Sequence, residues 1–213
     1  MNKIVSFLTL LFIPTFLFAQ KSNTDVDLGI KLGANFSNIN GKYWENGYKA
    51  NLLGGAYLGI NGRRVGIQLE AVYTQATFVT GNQFTDIYKD FLQTGKDSIK
   101  GGNFRVNYIT VPLLLNIRFF SHATIQLGPQ FSGVMSVQDK DEMIKDASKL
   151  FNNSWDGVIG LWIKLPAHLN FGVRYIIGLS NINKLDGTNS NKQQINDAWQ
   201  QRALQLHLGY SIL

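Results

Sequence analysis

Val26-Asp27-Leu28-Gly29-Ile30-Lys31-Leu32-Gly33-Ala34-Asn35-Phe36 alternates an apolar side chain with a polar or minimal one over eleven residues. Side chains of an extended strand point to opposite faces in turn, so the pattern predicts a strand with one apolar and one polar face. The alternation recurs in Tyr48 to Ile60, in Val65 to Thr74, in Ile125 to Ser132, in Leu169 to Ser180 and in Leu204 to Ile212. Two weaker stretches, about Asn103 to Phe119 and Asp156 to Leu165, bring the expected number of strands to eight.

The connections carry as much information as the strands. Asn61-Gly62-Arg63 is a hairpin signal, and Phe120-Ser121-His122 and Pro166-Ala167-His168 are equally short. The connections at about 37–47, 80–102, 137–155 and 181–199 are long. Long and short alternate strictly, which puts all long loops at one end of the sheet and both termini at the other. That is the plan of an all-β, eight-stranded antiparallel up-and-down transmembrane β-barrel, with long extracellular loops, short periplasmic turns and both mature termini periplasmic. A soluble barrel of the lipocalin type alternates too, with its apolar face lining a ligand cavity. The polar stripes here are Gly, Gln, Asn and a few charges, as suits a narrow side-chain-filled lumen. The opposite stripes are Leu, Ile, Val, Tyr and Phe without charges, as suits lipid, where a Lys or Arg at the midplane would cost about 2–4 kcal/mol. A soluble carrier of apolar ligands remains the alternative fold reading.

Ahead of the first strand, Lys3 precedes the mostly apolar run from Ile4 to Phe18, and Ala19 ends it. This reads as a secretory signal peptide over residues 1–19, followed by a short extension, 20–25, and the barrel, 26–213. Export removes Lys3 and leaves 19 basic against 14 acidic residues, a net charge of +5. The absence of cysteine excludes disulfides, thiolate metal sites and a cysteine nucleophile. Composition, 45% hydrophobic and 12% aromatic, excludes a disordered chain.

Four stretches carry a family resemblance: Gly29 to Ser37, Tyr108 to Leu114, Leu127-Gly128-Pro129 and Arg174 to Ile182. Together they resemble PorT-like outer-membrane β-barrel proteins over most of the mature chain. The resemblance implies an outer-membrane barrel of this size with a signal peptide and a role within the cell envelope or a secretion complex. It carries over no active site.

Counting from the tight turns, Lys31, Glu70, Arg174 and His207 fall on lumen-facing positions, the last three at similar height. A barrel of eight strands is narrow enough to be filled by side chains, so these residues are expected to meet as a luminal polar plug of paired charges. The rival reading is a proton relay around His207 and Glu70. His122 and His168 belong to tight turns, where no metal partners accompany them. No nucleophile elbow, zinc motif, phosphate loop or calcium loop occurs, so neither catalysis nor a metal or other cofactor is expected. The long loops hold no basic patch, which argues against nucleic acid despite a pI near 9.5. The expected surroundings are outer-membrane lipid and lipopolysaccharide, with Arg105 a candidate for lipopolysaccharide phosphates at the upper interface, and a possible protein partner in the envelope.

Three loop stripes complete the reading. Phe84, Ile87, Tyr88, Phe91 and Leu92 predict a short amphipathic helix capped by Gly95; Met143, Ile144, Ala147, Leu150 and Phe151 repeat the spacing, and Ile195, Ala198 and Trp199 echo it. Such stripes fold onto the barrel mouth or offer a loop contact to a partner, the candidates being Phe84, Ile87, Tyr88, Phe91, Met143, Ile144, Leu150 and Trp199. Pro112 and Pro129, inside expected strands, are expected to face each other at a bulge. The function expected is that of a non-enzymatic barrel with a structural, adhesive or partner role carried by its loops, the alternative being a small-solute channel.

Overall fold

The computed structural model describes residues 24–213, apart from 94, 96–100, 145, 186, 189–193 and 196. The expected signal peptide lies outside the described residues. Eight long strands close into one antiparallel barrel: β1 Asp25–Asn40, β2 Lys49–Asn61, β3 Val65–Val79, β4 Asn103–Arg118, β5 Ala123–Asp139, β6 Ser154–Lys164, β7 Leu169–Gly178 and, after a two-residue hairpin of β8 Gly187–Thr188 and β9 Gln194–Ile195, β10 Gln200–Ser211. Sequence neighbours pair all the way round, and β1 pairs with β10 from Gly29↔Ser211 to Asn40↔Gln200 to complete the ring. Closure leaves no long edge with unpaired backbone groups, which is what allows such a sheet to sit in lipid.

Period two sets the two faces as the sequence requires. Asp27, Lys31 and Asn35 of β1, Gln68 and Glu70 of β3 and Arg174 of β7 are buried inside. Ile30, Leu32, Ile67, Leu69, Leu113, Ile159, Ile177 and Leu208 are exposed on the outer wall. A soluble carrier would show the reverse, so the lipocalin alternative is set aside.

Several strands run past their expected ends on the long-loop side: β1 reaches Asn40, β3 Val79 and β5 Asp139. The prolines do not face each other. Pro112 is buried inside and pairs with Gln130, while Pro129 is exposed on the outer wall. Each lacks an N–H, and the β4–β5 ladder skips from Pro112↔Gln130 to Leu115↔Leu127. The register shift lies higher, between Asn107↔Ser136 and Tyr108↔Val134, where Met135 is the extra residue on β5. The alternation of β4 therefore runs unbroken, and Arg105 and Asn107 face outward with Ile109. On that outer face Gln75 donates to Tyr73 at 3.1 Å and to Asn107 at 3.2 Å, and Asn107 donates to Ser136 at 2.8 Å. This polar ladder marks the upper edge of the apolar wall.

Candidate functional site

The barrel interior has two unlike storeys. Toward the tight turns, the centre is Glu70. Arg174 grips it with both terminal nitrogens, Nη1 to Oε2 and Nη2 to Oε1, each at 2.7 Å, while the Lys31 ammonium pairs with Oε2. Gln68 donates to Glu70 Oε1 at 2.6 Å. Two further Arg174 donors go to Gln126, from Nε at 3.0 Å and Nη2 at 2.6 Å. Gln126 in turn donates to Asn116 at 2.9 Å, and Asn116 to Asn61 at 3.0 Å. The bidentate fork fixes the guanidinium in one plane, and the amides absorb the donors and acceptors that an ion pair alone would leave buried and unmet.

Three of the four residues expected to meet therefore do. His207 is buried in the same lumen but makes no hydrogen bond through either ring nitrogen. Its ring packs 5.2 Å from that of Trp162, and the Arg174 guanidinium lies 5.7 Å from the same indole. Gly33 and Gly172 make room for it: a Cβ on either would overlap His207. Without a bond to Glu70, the geometry for a proton relay between them is missing.

One step nearer the long loops on each strand, the lumen turns apolar with Leu114, Val158, Ile176 and Ala203. Beside this layer sits Asp156, which sequence reasoning missed. It is buried and accepts hydrogen bonds from Ser132 at 2.6 Å, Ser154 at 3.0 Å and Gln130 at 3.3 Å, all neutral donors.

Above lies the second storey, an aromatic cap. Trp44 is its hub, with ring centroids of Trp199 at 4.9 Å, Phe84 at 5.4 Å, and Phe104 and Phe151 at 6.0 Å. Phe84 stacks on Tyr88 at 4.6 Å. Ile39, Ala76, Phe78 and Val106 on the inward faces of the strands complete one continuous cluster with Met143, Ile144, Leu150 and Trp199. The loop residues expected as contacts are thus interior: Phe84, Tyr88, Met143, Leu150 and Trp199 are fully buried, Ile144 nearly so, and Ile87 and Phe91 partly buried against them. They cover the mouth, and a partner cannot reach the buried ones.

The loops are also pinned to one another in a ring. Isolated backbone bridges tie three of the junctions: Trp44↔Thr80 joins the first loop to the second, Leu92↔Ile144 the second to the third, and Phe151↔Asn183 the third to the fourth. The ring closes where the backbone N–H of Lys42 donates to Asp197 at 3.3 Å. Asp197 also accepts from Trp199 Nε1 at 2.9 Å, and Asn183 donates to the Asp197 carbonyl at 2.8 Å and to the Tyr88 hydroxyl at 3.2 Å. Local structure is slighter than the spacing suggests. The second loop holds a single-turn helix, α1 Phe84–Ile87, and a 3-10 turn at Lys89–Phe91; the third holds a 3-10 turn at Ala147–Lys149. Gly95 does adopt a left-handed conformation, with φ +81°. At its described positions the third stripe forms no helix: Ile195 belongs to β9, and Ala198 and Trp199 lie outside any helix or strand.

No three His, Asp or Glu side chains converge as metal ligands among the described residues. The family of outer membrane protein beta-barrel domains matches residues 18–184. The chain belongs to that family. It is therefore an outer-membrane protein whose apolar wall meets lipid. No match is found among curated proteins. Among solved structures, this outer-membrane barrel is similar to Ail, the attachment invasion locus protein of Yersinia pestis, with 13% identity over 88% of this chain and 99% of that one and a TM-score of 0.41. It is also similar to the outer membrane protein OprG of Pseudomonas aeruginosa, with 12% identity over 90% and 98% and a TM-score of 0.45. AlkL, solved in lipid bilayers, shares 12% identity over 86% and 90%, with a TM-score of 0.43.

Proposed function

We propose that this outer-membrane barrel is a closed, non-enzymatic scaffold whose loop platform carries a structural, adhesive or partner role, within an envelope or secretion complex as in PorT-like proteins. The supporting observation is double closure: an ion-paired plug of Lys31, Glu70 and Arg174 fills one storey of the lumen, and the aromatic cap centred on Trp44 fills the other. A solute path would have to break both. The ring of loop bridges favours the same reading, since it presents the four loops as one preorganised surface, and preorganisation lowers the entropy lost on binding.

In this reading the signal peptide is removed after Ala19, the loops face the exterior, and the tight turns and both mature termini face the periplasm. Contact falls to the exposed rim of the loops rather than to the buried stripes. Planar-bilayer recording of the purified barrel is expected to give no steady unitary current. Stable, reproducible channel steps would overturn the scaffold reading in favour of a small-solute channel.

A further inference from the structure

The rim at the tight-turn end is unevenly charged. On one side Lys164 lies 3.7 Å from Asp25 and 3.6 Å from Asp27. Arg63 and Arg64 in the β2–β3 turn and Arg118 at the end of β4, by contrast, have no ion-pair partner among the described residues. The backbone N–H of Arg118 donates to the Arg64 carbonyl at 2.8 Å, which sets these two side by side. Arg63 and Arg64 are exposed and Arg118 is half-buried.

Arg64 and Arg118 line a small cleft at the barrel mouth together with Lys164, Asp27, Asn116 and Thr124. Gly62, Val65 and Gly66 of the same turn line both that cleft and a groove of about 600 Å³ on the outer wall, whose other walls are Leu58, Ile60, Ile67, Leu69 and Leu115. In the next turn, the Phe119 and Phe120 rings lie 4.9 Å apart, and Phe120 is 69% exposed. A cleft in which Arg64, Arg118 and Lys164 outnumber the single carboxylate of Asp27 thus continues, round one hairpin turn, into an apolar groove on a lipid-facing wall.

We propose that the β2–β3 turn binds one anionic phospholipid from the leaflet at the tight-turn end, its phosphate held by Arg64 and Arg118 and an acyl chain lying along the Leu58–Ile67 groove. Arg63, at the turn's tip, adds charge, and Phe119 and Phe120 enter the lipid beside it. The arginines supply charge-assisted bonds to phosphate, and with no acid paired to them they favour a net-negative headgroup over a zwitterionic one. The groove distinguishes a lipid from a soluble phosphate, which would gain nothing from it. Assigning the lipid to the periplasmic leaflet rests on the orientation proposed above, whereas binding itself does not.

Native mass spectrometry of the detergent-purified mature barrel tests this with phosphatidylglycerol and phosphatidylethanolamine of identical chains. One bound phosphatidylglycerol is expected at about tenfold lower concentration than phosphatidylethanolamine. The preference is expected to vanish in R64Q/R118Q and to persist in R202Q, a control at the other end of the wall. Glycerol phosphate at matched concentration is expected not to displace the lipid. Equal uptake of the two lipids, displacement by glycerol phosphate, or an undiminished preference in R64Q/R118Q would each overturn the site. Should that variant fail to fold by gel mobility, the two measurements on the unmodified protein still decide. Orientation is checked separately with S121C: labelling of intact cells by an impermeant maleimide would overturn the leaflet assignment without touching the lipid preference.

Discussion

The two storeys of the lumen are closed by opposite means. The lower one is held by charge: a single carboxylate shared by two cations, with a web of amides satisfying the rest. The upper one is held by area: among the described residues sixteen are buried in it, most of them aromatic or aliphatic, drawn from strand tops and all four loops. Paired charge is unforgiving, because removing one member strands the others in a low-dielectric interior. Apolar packing is graded, because each side chain contributes roughly in proportion to what it buries. The two closures are therefore expected to fail differently.

The sharpest break is Glu70→Gln. It leaves Lys31 and Arg174 facing each other without their anion, and is expected to cost about 3–5 kcal/mol in urea unfolding from lipid vesicles. Replacing the triad together, with Lys31→Met, Glu70→Gln and Arg174→Met, is expected to lose less than Glu70→Gln alone, since no unpaired charge remains. A triple variant that is worse than the single would show that the network contributes net stability rather than merely neutralising itself. Next comes Trp44→Ala, expected to cost the cap about 3 kcal/mol while leaving the barrel wall intact. The readout is local: faster proteolysis of the long loops with an unchanged mobility shift between unheated and boiled samples. Loss of that shift would mean the cap and the wall fold as one unit.

How much of each storey the sequence disclosed follows from the same contrast. Lys31, Glu70 and Arg174 could be placed in the lumen one by one because a strand's period of two assigns every residue a face. Their height followed from counting off tight turns. The same count put His207 in the lumen but could not say that it would pack on Trp162 instead of bonding to Glu70, because side-chain rotamers are not periodic. Asp156 was missed because a lone carboxylate among serines has no distinctive spacing. In the cap, the residues at helical spacing were found, yet Trp44, Phe78 and Phe104 were not. They come from a loop and two strand ends with no shared period, and only closure of the barrel brings them together. The loop-to-loop bridges left no trace in the sequence for the same reason.

A smaller effect isolates the pin that closes the loop ring. Asp197→Ala removes the acceptor of Trp199 Nε1 and of the Lys42 N–H, leaving two donors near the interior without partners, and is expected to cost about 1–2 kcal/mol. Loop proteolysis is expected to rise less than in Trp44→Ala, and the cleavages to concentrate in the first and fourth loops. Even cleavage across all four would mean that the ring acts as one body and that no junction is separately breakable.

The smallest expected effect is one of pH. Tyr88 is buried in the cap, and burial pushes its hydroxyl well above the ordinary tyrosine range. A raised value means that the neutral phenol is favoured in the folded cap. Below the unfolded value, near pH 10, both states are protonated and Tyr88 adds no pH dependence. Above it, the opened cap sheds the proton first, so stability falls as pH rises until the folded group also ionises. The wall is held by its backbone ladder, so the cap is expected to loosen while the wall holds. The near-ultraviolet circular dichroism of Trp44 and Trp199, whose rings lie 4.9 Å apart, is expected to fade between about pH 10 and 12 with strand content unchanged. Tyr88→Phe keeps the stacking on Phe84 and deletes the titrating group, so its signal should fade less over that range. An identical fade in the variant would assign the alkaline loosening to some other group and leave Tyr88 as packing alone.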